Sequence, residues 1–384
     1  MESPPYLVQS KTFFEVLEST SGLDLRDTRG LRHPLAVVLT DFCLALLSKR
    51  DGNLSSIGRF MKNNFQSLRR FYGADVPRAV SRSQLPLILS SVDLDVFSKL
   101  LFTHYNIILT EHQKQWFSID GKELRGSILD GDKRGEAIVT LVAHETGDTF
   151  AHSFYNGKKE SEIPEVRDLL SKSKVLGQKI SMDALHLNPT TLNLIQQENG
   201  VYMVGLKNNQ AELLSEMSHY AKRYNPVYQG VTTEKGHGRV EKRTYSAFNV
   251  ADEYYDERWA DCQLNTLVTV NRLSTNTKSM ADTQETAFYL TNALPSNQKE
   301  ADELFGAIRK HWTVEVANHI RDVTFKEDSM KTKNDKISKT SASLRTLVLK
   351  VINQDKPKNI VEKMELFADD FQEMIKWLKS IRFL

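Results

Sequence analysis

Three acidic residues stand where a chain could use them for chemistry. Asp120 follows the apolar run Trp116-Phe117-Ser118-Ile119 and opens the polar segment Gly121-Lys122-Glu123-Leu124-Arg125. Asp183 follows Ile180-Ser181-Met182 and opens Ala184-Leu185-His186. In an α/β sheet, functional side chains gather where strands end and loops begin. Taken singly, each Asp is also a natural turn or cap residue. The third acid, Glu315, lies in Ile308-Arg309-Lys310-His311-Trp312-Thr313-Val314-Glu315. His311 and His319 flank it at helical spacing, so all three share one helical face. That stripe admits a His-Glu-His metal face without the H-E-x-x-H signature, a lone glutamate joining acids from elsewhere, or a solvated face.

Carboxylates brought together from distant parts of a chain repel. Two like charges about 4 Å apart cost about 4 kcal/mol at an effective dielectric near 20. Hard divalent cations relieve that repulsion, and Mg²⁺ typically takes a few carboxylates together with substrate phosphates. Two ions about 3.5–4 Å apart can activate an attacking oxygen and stabilise a leaving one in phosphodiester chemistry. Convergence of the three acids would therefore call for an oxygen nucleophile and a polyanionic substrate.

The elements that must position these acids change character along the chain. Residues 8–115 have helical periodicity, with the stripe Leu31, Leu35, Val38, Leu39, Phe42, Leu46 and Leu47, and a second long pattern from Leu85 to Phe102. From Trp116 the period becomes two. Strands are expected at Trp116–Asp120, Ala137–Val142 and Thr149–Phe154, the last two joined as a hairpin through His144-Glu145-Thr146-Gly147-Asp148. Helix and strand then alternate: helices over 162–170, 190–198 and 210–222, strands over 179–183 and 201–206. This predicts an α/β domain with a mixed sheet. Residues 225–292 have the character of a β-rich insertion, with strands at 239–250, 264–273 and 286–294. One long helix over 299–326 and amphipathic helices at 341–352 and 360–381 complete the pattern.

Composition narrows the class. The 384 residues are 40% hydrophobic and 26% charged, which excludes collagen-like and largely disordered chains. No apolar run approaches the length of a membrane span, and Met1-Glu2-Ser3-Pro4-Pro5 lacks the features of a signal peptide, so a cytoplasmic protein is expected. Cys43 and Cys262 are too few and too far apart for a disulfide framework or a cysteine zinc site. The net charge of +2 is small, but phosphate contact needs only local basic patches.

Six segments occur in order: Ile119–Ser127, Asp183-Ala184-Leu185-His186, Gly205–Gln210, His237–Arg243, Ile308–Glu315 and Asp322–Asp328. Together they resemble the ISAs1 family of bacterial insertion-sequence transposases, the H-repeat-associated proteins. The residues after Glu315 depart from the family pattern, with Val316 and His319-Ile320 in place of Asn and His-Trp. The resemblance implies a DDE transposase with an RNase H-like α/β core and a β-rich insertion, preceded by an all-helical N-terminal domain. Its expected parts are a helical domain at 1–112, the first part of the catalytic core at 113–224, the insertion at 225–295 and a C-terminal helical part at 296–384. Asp120, Asp183 and Glu315 would be the three metal-holding acids, with two Mg²⁺ ions and Mn²⁺ as the expected substitute. The implied substrate is double-stranded DNA, namely the element's terminal repeats and a target, handled by a homodimer in a synaptic complex. An inactive DNA-binding relative and a nuclease that does not join strands are the alternatives.

Further residues have the chemistry to meet DNA. Lys122 and Arg125 follow the first acid; Lys207, Asn209 and Gln210 lie between a strand and a helix, where capping is the alternative. His237, Arg239 and Arg243 sit in a Gly-flanked hairpin, and Arg309 and His311 precede Glu315. Trp312 is suited either to stack on a flipped base or to pack in the core.

Overall fold

The alternation that begins at Trp116 does build a strand, and that strand organises a mixed sheet of nine strands among the described residues. The computed structural model describes residues 11–384 apart from 30, 51, 73–75, 106–108, 110–112, 129–130, 237 and 252–255. The strands are β1 (Trp116–Glu123), β2 (Ala137–Ala143), β3 (Thr149–Tyr155), β4 (Lys179–Met182), β5 (Val201–Leu206), β6 (Tyr228–Gly236), β7 (Arg239–Asn249), β8 (Thr266–Asn276) and β9 (Asp282–Thr291). Their order is β3-β2-β1-β4-β5-β9-β8-β7-β6. β1, β2 and β3 form an antiparallel meander, whereas β1, β4 and β5 run parallel. Residues 225–295 are β-rich as expected, and they extend the same sheet: β9 pairs antiparallel with β5, and β8, β7 and β6 follow.

Six helices precede the sheet among the described residues: α1 (Phe13–Ser19), α2 (Leu35–Leu47), α3 (Leu54–Asn63), α4 (Phe65–Tyr72), α5 (Gln84–Leu89) and α6 (Leu94–His104). The connections into β4 and β5 carry α7 (Lys159–Lys172) and α8 (Pro189–Gln197), and α9 (Ala211–Arg223) joins β5 to β6. After the sheet come α10 (Gln298–Lys310), α11 (Trp312–His319), α12 (Asp335–Asn353), α13 (Ile360–Asp369) and α14 (Phe371–Ser380). The N-terminal helices do not enclose a core of their own. Phe42, Leu46 and Phe97 share one apolar cluster with Leu344, Val348 and Leu378, and Phe13 stacks on Phe383 with ring centroids 5.6 Å apart. Every residue of α2 is buried, the mark of a helix enclosed on all sides rather than one lying on a surface.

Three expected helices are shorter than their periodicity suggests, each for a local reason. The 85–102 pattern splits because Asp93 caps a new start at α6, accepting from the Val96 N–H at 2.9 Å. The 360–381 pattern splits at Asp370, which caps α14. The 299–326 pattern breaks at His311 and, after α11, passes into a π-helical turn over Ile320–Thr324. Periodicity reports which face is apolar, and a cap can restart a helix without disturbing it.

Candidate active site

Asp120 lies inside β1 rather than at its end. β2 pairs with β1 as far as Glu123↔Ala137, but the parallel partner β4 stops at Ile119↔Met182. Asp120 and Asp183 are therefore the next residues in line on adjacent strands, which lie about 4.8 Å apart. Asp183 leaves the strand by capping a single 3-10 turn over Ala184–His186, accepting from the Leu185 N–H at 2.9 Å. Two residues expected on DNA hold this turn. Asn209 Nδ2 donates to the Ala184 carbonyl at 2.6 Å, and Gln210 Nε2 donates to the Leu187 carbonyl at 3.0 Å.

Glu315 comes from the first turn of α11, which packs on β1 and β2 through buried Val314 and Ala317. Asn318, one turn further on, donates through Nδ2 to Asp120 Oδ2 at 3.2 Å and ties the helix to the first acid. The carboxyls feel one another. Burial, then the charges of Asp183, Glu162 and Glu315, push Asp120 up to about 7, against a hydrogen bond from the Gly121 backbone. Glu315 is also raised, chiefly by burial; Lys207 opposes this and Asp183 adds to it. The three acids thus share one electrostatic field. They do not form a closed ligand cage, since among the described residues no group of three or more His, Cys, Asp or Glu side chains is arranged to hold a metal ion.

The His-Glu-His face does not form. His311 is the joint between α10 and α11, and its ring turns inward, with Nδ1 3.0 Å from Ser181 Oγ. The same hydroxyl lies 2.9 Å from His144 Nε2, so a buried hydrogen-bonded chain links β2, β4 and the start of α11. Burial lowers His311 to about 4, which keeps the ring neutral near pH 7. His319 is exposed at the far end of α11.

Lys122, two residues beyond Asp120, is 9% exposed and already committed. Its ammonium sits 2.8 Å from both Asp322 Oδ1 and Glu327 Oε2, and 3.6 Å from Asp328 Oδ1. Glu327 also receives a forked pair of hydrogen bonds from buried Arg321, at 2.7 and 2.9 Å. Burial alone would raise the Glu327 carboxyl, but Arg321, Lys122 and Arg345 outweigh it and hold the group at about 2. This cluster joins β1 to the segment that follows α11. Arg125 remains exposed, its backbone N–H on Asp328 Oδ1 at 3.2 Å, and Lys207 is exposed at the end of β5.

Two glutamates pair with the basic residues of β7, and one of them, Glu234, also joins β6 to α10. Arg309 makes a forked contact with Glu234 at 3.1 and 2.9 Å, and Arg243 reaches the same carboxylate at 3.0 Å. Arg239 pairs with Glu241 at 2.7 Å. These side chains, with Lys235, Arg272 and Trp312, line a cleft of about 510 Å³. A second cavity of about 240 Å³ shares Trp312 and reaches Glu315 and Tyr289. Trp312 is 55% exposed, so of its two expected settings the core is excluded. His237 lies outside the described residues. Glu162, Asn318 and Ser181 were not singled out by sequence reasoning. Only the placement of Ser181 within the segment before Asp183 offered a signal.

No protein-family model matches the chain. Two proteins of Escherichia coli strain K12 are each 26% identical over 348 residues, covering 87% of this chain and 88% of their own length: "Putative protein YbfL" and "H repeat-associated putative transposase YhhI". "Putative transposase YncI" of E. coli O157:H7 is 24% identical over 351 residues, 87% of this chain and 85% of its own. Among solved structures, a piggyBac transposase synaptic complex with hairpin DNA aligns with 96% of this chain and 76% of its own at 13% identity. Its TM-score of 0.48 is below the level that establishes a shared fold. Over most of its length this chain is thus similar to proteins named as H-repeat-associated transposases, the ISAs1-like type that its motifs resemble. No helix among the described residues is long and apolar enough to cross a membrane.

Proposed function

We propose that this chain is a metal-dependent DNA transposase in which Asp120, Asp183 and Glu315 are the three catalytic acids. One observation carries the reading: two aspartates fall side by side where a parallel strand pair ends, and a helix tied to the first of them adds a glutamate that shares their field. The order β3-β2-β1-β4-β5 supports the RNase H-like core that the motif resemblance implies. The donor set fits a hard divalent cation, being all oxygen, with Asp120 and Glu315 raised by burial and, after it, by neighbouring carboxylates. When bound, Mg²⁺ or Mn²⁺ would supply charge neutralisation and an activated oxygen nucleophile.

The chain's own residues do the positioning. Asn318 orients Asp120, and Asn209 and Gln210 fix the turn that presents Asp183. The Ser181–His311 hydrogen bond sets where α11, and so Glu315, begins. Lys122 acts here as a brace between β1 and the segment after α11 rather than as a phosphate ligand. The basic cleft with Trp312 at its mouth is suited to a DNA strand, its arginines to phosphates and its indole to a base. Two protomers, one at each element end, would complete the reaction: hydrolysis frees a 3′-OH, which then attacks a target phosphodiester.

The test is a supercoiled plasmid bearing the inverted repeats that flank the gene, incubated with protein and Mg²⁺ or Mn²⁺. Cleaved ends and joined products are expected, and Asp120→Asn should abolish both while leaving DNA binding intact. Cleavage that persists in that variant would overturn the site assignment. Cut ends without joining would indicate a nuclease, and binding without any cleavage a DNA-binding regulator.

A further inference from the structure

A fourth acid approaches the same place from the other side of the sheet. Glu162 lies in the first turn of α7 and is 9% exposed. Its carboxyl rests against β1 where Gly121 has no side chain. A Cβ at that position would stand 2.5 Å from Glu162 Cδ and 2.6 Å from Oε1. Neighbouring residues of a strand face opposite ways, so Glu162 arrives on the face away from Asn318, immediately beside Asp120. Its charge is among those that raise Asp120. One carboxylate oxygen, Oε2, accepts from Tyr155 Oη at 2.8 Å, which fixes the group's orientation.

The other oxygen, Oε1, faces His186. That ring is 1% exposed, its Nε2 lying 3.5 Å from Glu162 Oε1 and 3.8 Å from Asp183 Oδ1. Neither ring nitrogen makes a hydrogen bond. A buried polar atom left unsatisfied is costly. Here it is aimed between two carboxylates, one of them a proposed catalytic acid. Tyr155 and His186 thus flank Glu162 on its two oxygens, and Gly121 lets the carboxyl lie against the β1 backbone next to Asp120.

We propose that Glu162 supplies a fourth carboxylate to the divalent cation held by Asp120 and Asp183, with His186 as the buried group that orients it. This rests on the metal-dependent reading above and adds a ligand to it. The helix N-terminus and the Tyr155 hydrogen bond would account for an acid at this position, and the Tyr155 hydroxyl shares the space that Gly121 leaves, but neither requires an imidazole lodged between Glu162 and Asp183.

The experiment measures Mn²⁺ binding to the full chain without DNA, by titration calorimetry and by the electron paramagnetic resonance signal of free Mn²⁺. Wild type is compared with Glu162→Gln, Tyr155→Phe and Asp120→Asn. Loss of a direct ligand should weaken binding at least as much as loss of an outer-shell partner, so Glu162→Gln is expected to cost about tenfold or more. Tyr155→Phe, which removes only a hydrogen bond to that ligand, should weaken affinity less than Glu162→Gln does, and the metal-free melting temperature of Glu162→Gln should stay near that of wild type. Wild-type Mn²⁺ affinity in Glu162→Gln would overturn the proposal. So would equal weakening in Glu162→Gln and Tyr155→Phe accompanied by a lower melting temperature, which marks a purely structural hydrogen bond. If Glu162→Gln does not fold, Glu162→Asp keeps the charge, and wild-type affinity in that shortened variant would equally overturn it. Wild-type affinity in Asp120→Asn would instead refute the underlying metal reading.

Discussion

Replacing Glu327 with Gln tests whether the buried ion cluster next to the acids acts as a brace. The substitution keeps the shape and removes one negative charge from among Lys122, Arg321 and Arg345, of which the two arginines are fully buried. A carboxyl held at about 2, against its ordinary 4.5, corresponds to roughly 3 kcal/mol of stability. Leaving buried cations uncompensated typically costs about 3–5 kcal/mol. For a chain of 384 residues that is a fall in melting temperature of roughly 4–6 °C if the transition is cooperative. The sign with pH is fixed. The folded value lies below the unfolded one, so the contribution is complete above about pH 4.5 and drains away as pH falls towards 2. Thermal and urea melts of wild type and Glu327→Gln between pH 7 and pH 3 should therefore converge as pH falls. The cluster also links Lys122, two residues from Asp120, to the segment after α11. DNA cleavage should accordingly fall further than the folded fraction does. Equal stability at pH 7, or a difference that does not shrink in acid, would refute the reasoning.

Two further variants probe the neighbourhood of the acids. Trp312→Ala should weaken binding of single-stranded or end-frayed DNA by about 1–3 kcal/mol, measured by fluorescence anisotropy. Its melting point should barely move, because the indole is 55% exposed; unchanged affinity would remove the stacking role. Gly121→Ala should destabilise the fold by about 1–3 kcal/mol in a urea melt, because the new Cβ would meet the Glu162 carboxyl at 2.5 Å. Wild-type stability there would show that α7 yields easily and that Glu162 is not held against β1.

How far the sequence carried these conclusions depended on the range of the interaction that decided each point. The strand runs at 116–120, 137–142, 149–154, 179–183 and 201–206 were legible because burial on a sheet imposes a period of two, and each corresponds to an observed strand. Asp120 and Asp183 were legible as acids that follow apolar runs. Their adjacency was not, because it depends on the Ile119↔Met182 register, which a residue on one strand cannot report about another. The His-Glu-His stripe misled for the complementary reason. Helical spacing assumes an unbroken helix, and Ser181, 130 positions away, supplies the hydroxyl that draws His311 inward where α10 ends. The same limit hid Glu162, whose meaning rests on an absent side chain at Gly121 and a ring at 186.

That pattern bears on how the site is built. Asp120 sits inside a strand and is paired there with β2, whereas Asp183 stands one step past the end of β4 and Glu315 lies in the first turn after the break at His311. Each depends on side-chain hydrogen bonds for its place: Asn209 and Gln210 for the first, His311 and Asn318 for the second. In the proposed reading, an acid on a strand and two held by side-chain hydrogen bonds would have to close on a cation from positions that, among the described residues, form no cage. Repulsion among the carboxyls favours the open arrangement until positive charge arrives. On the proposed metal-dependent reading, a cation would draw Asp183 and Glu315 towards Asp120 as the fixed point.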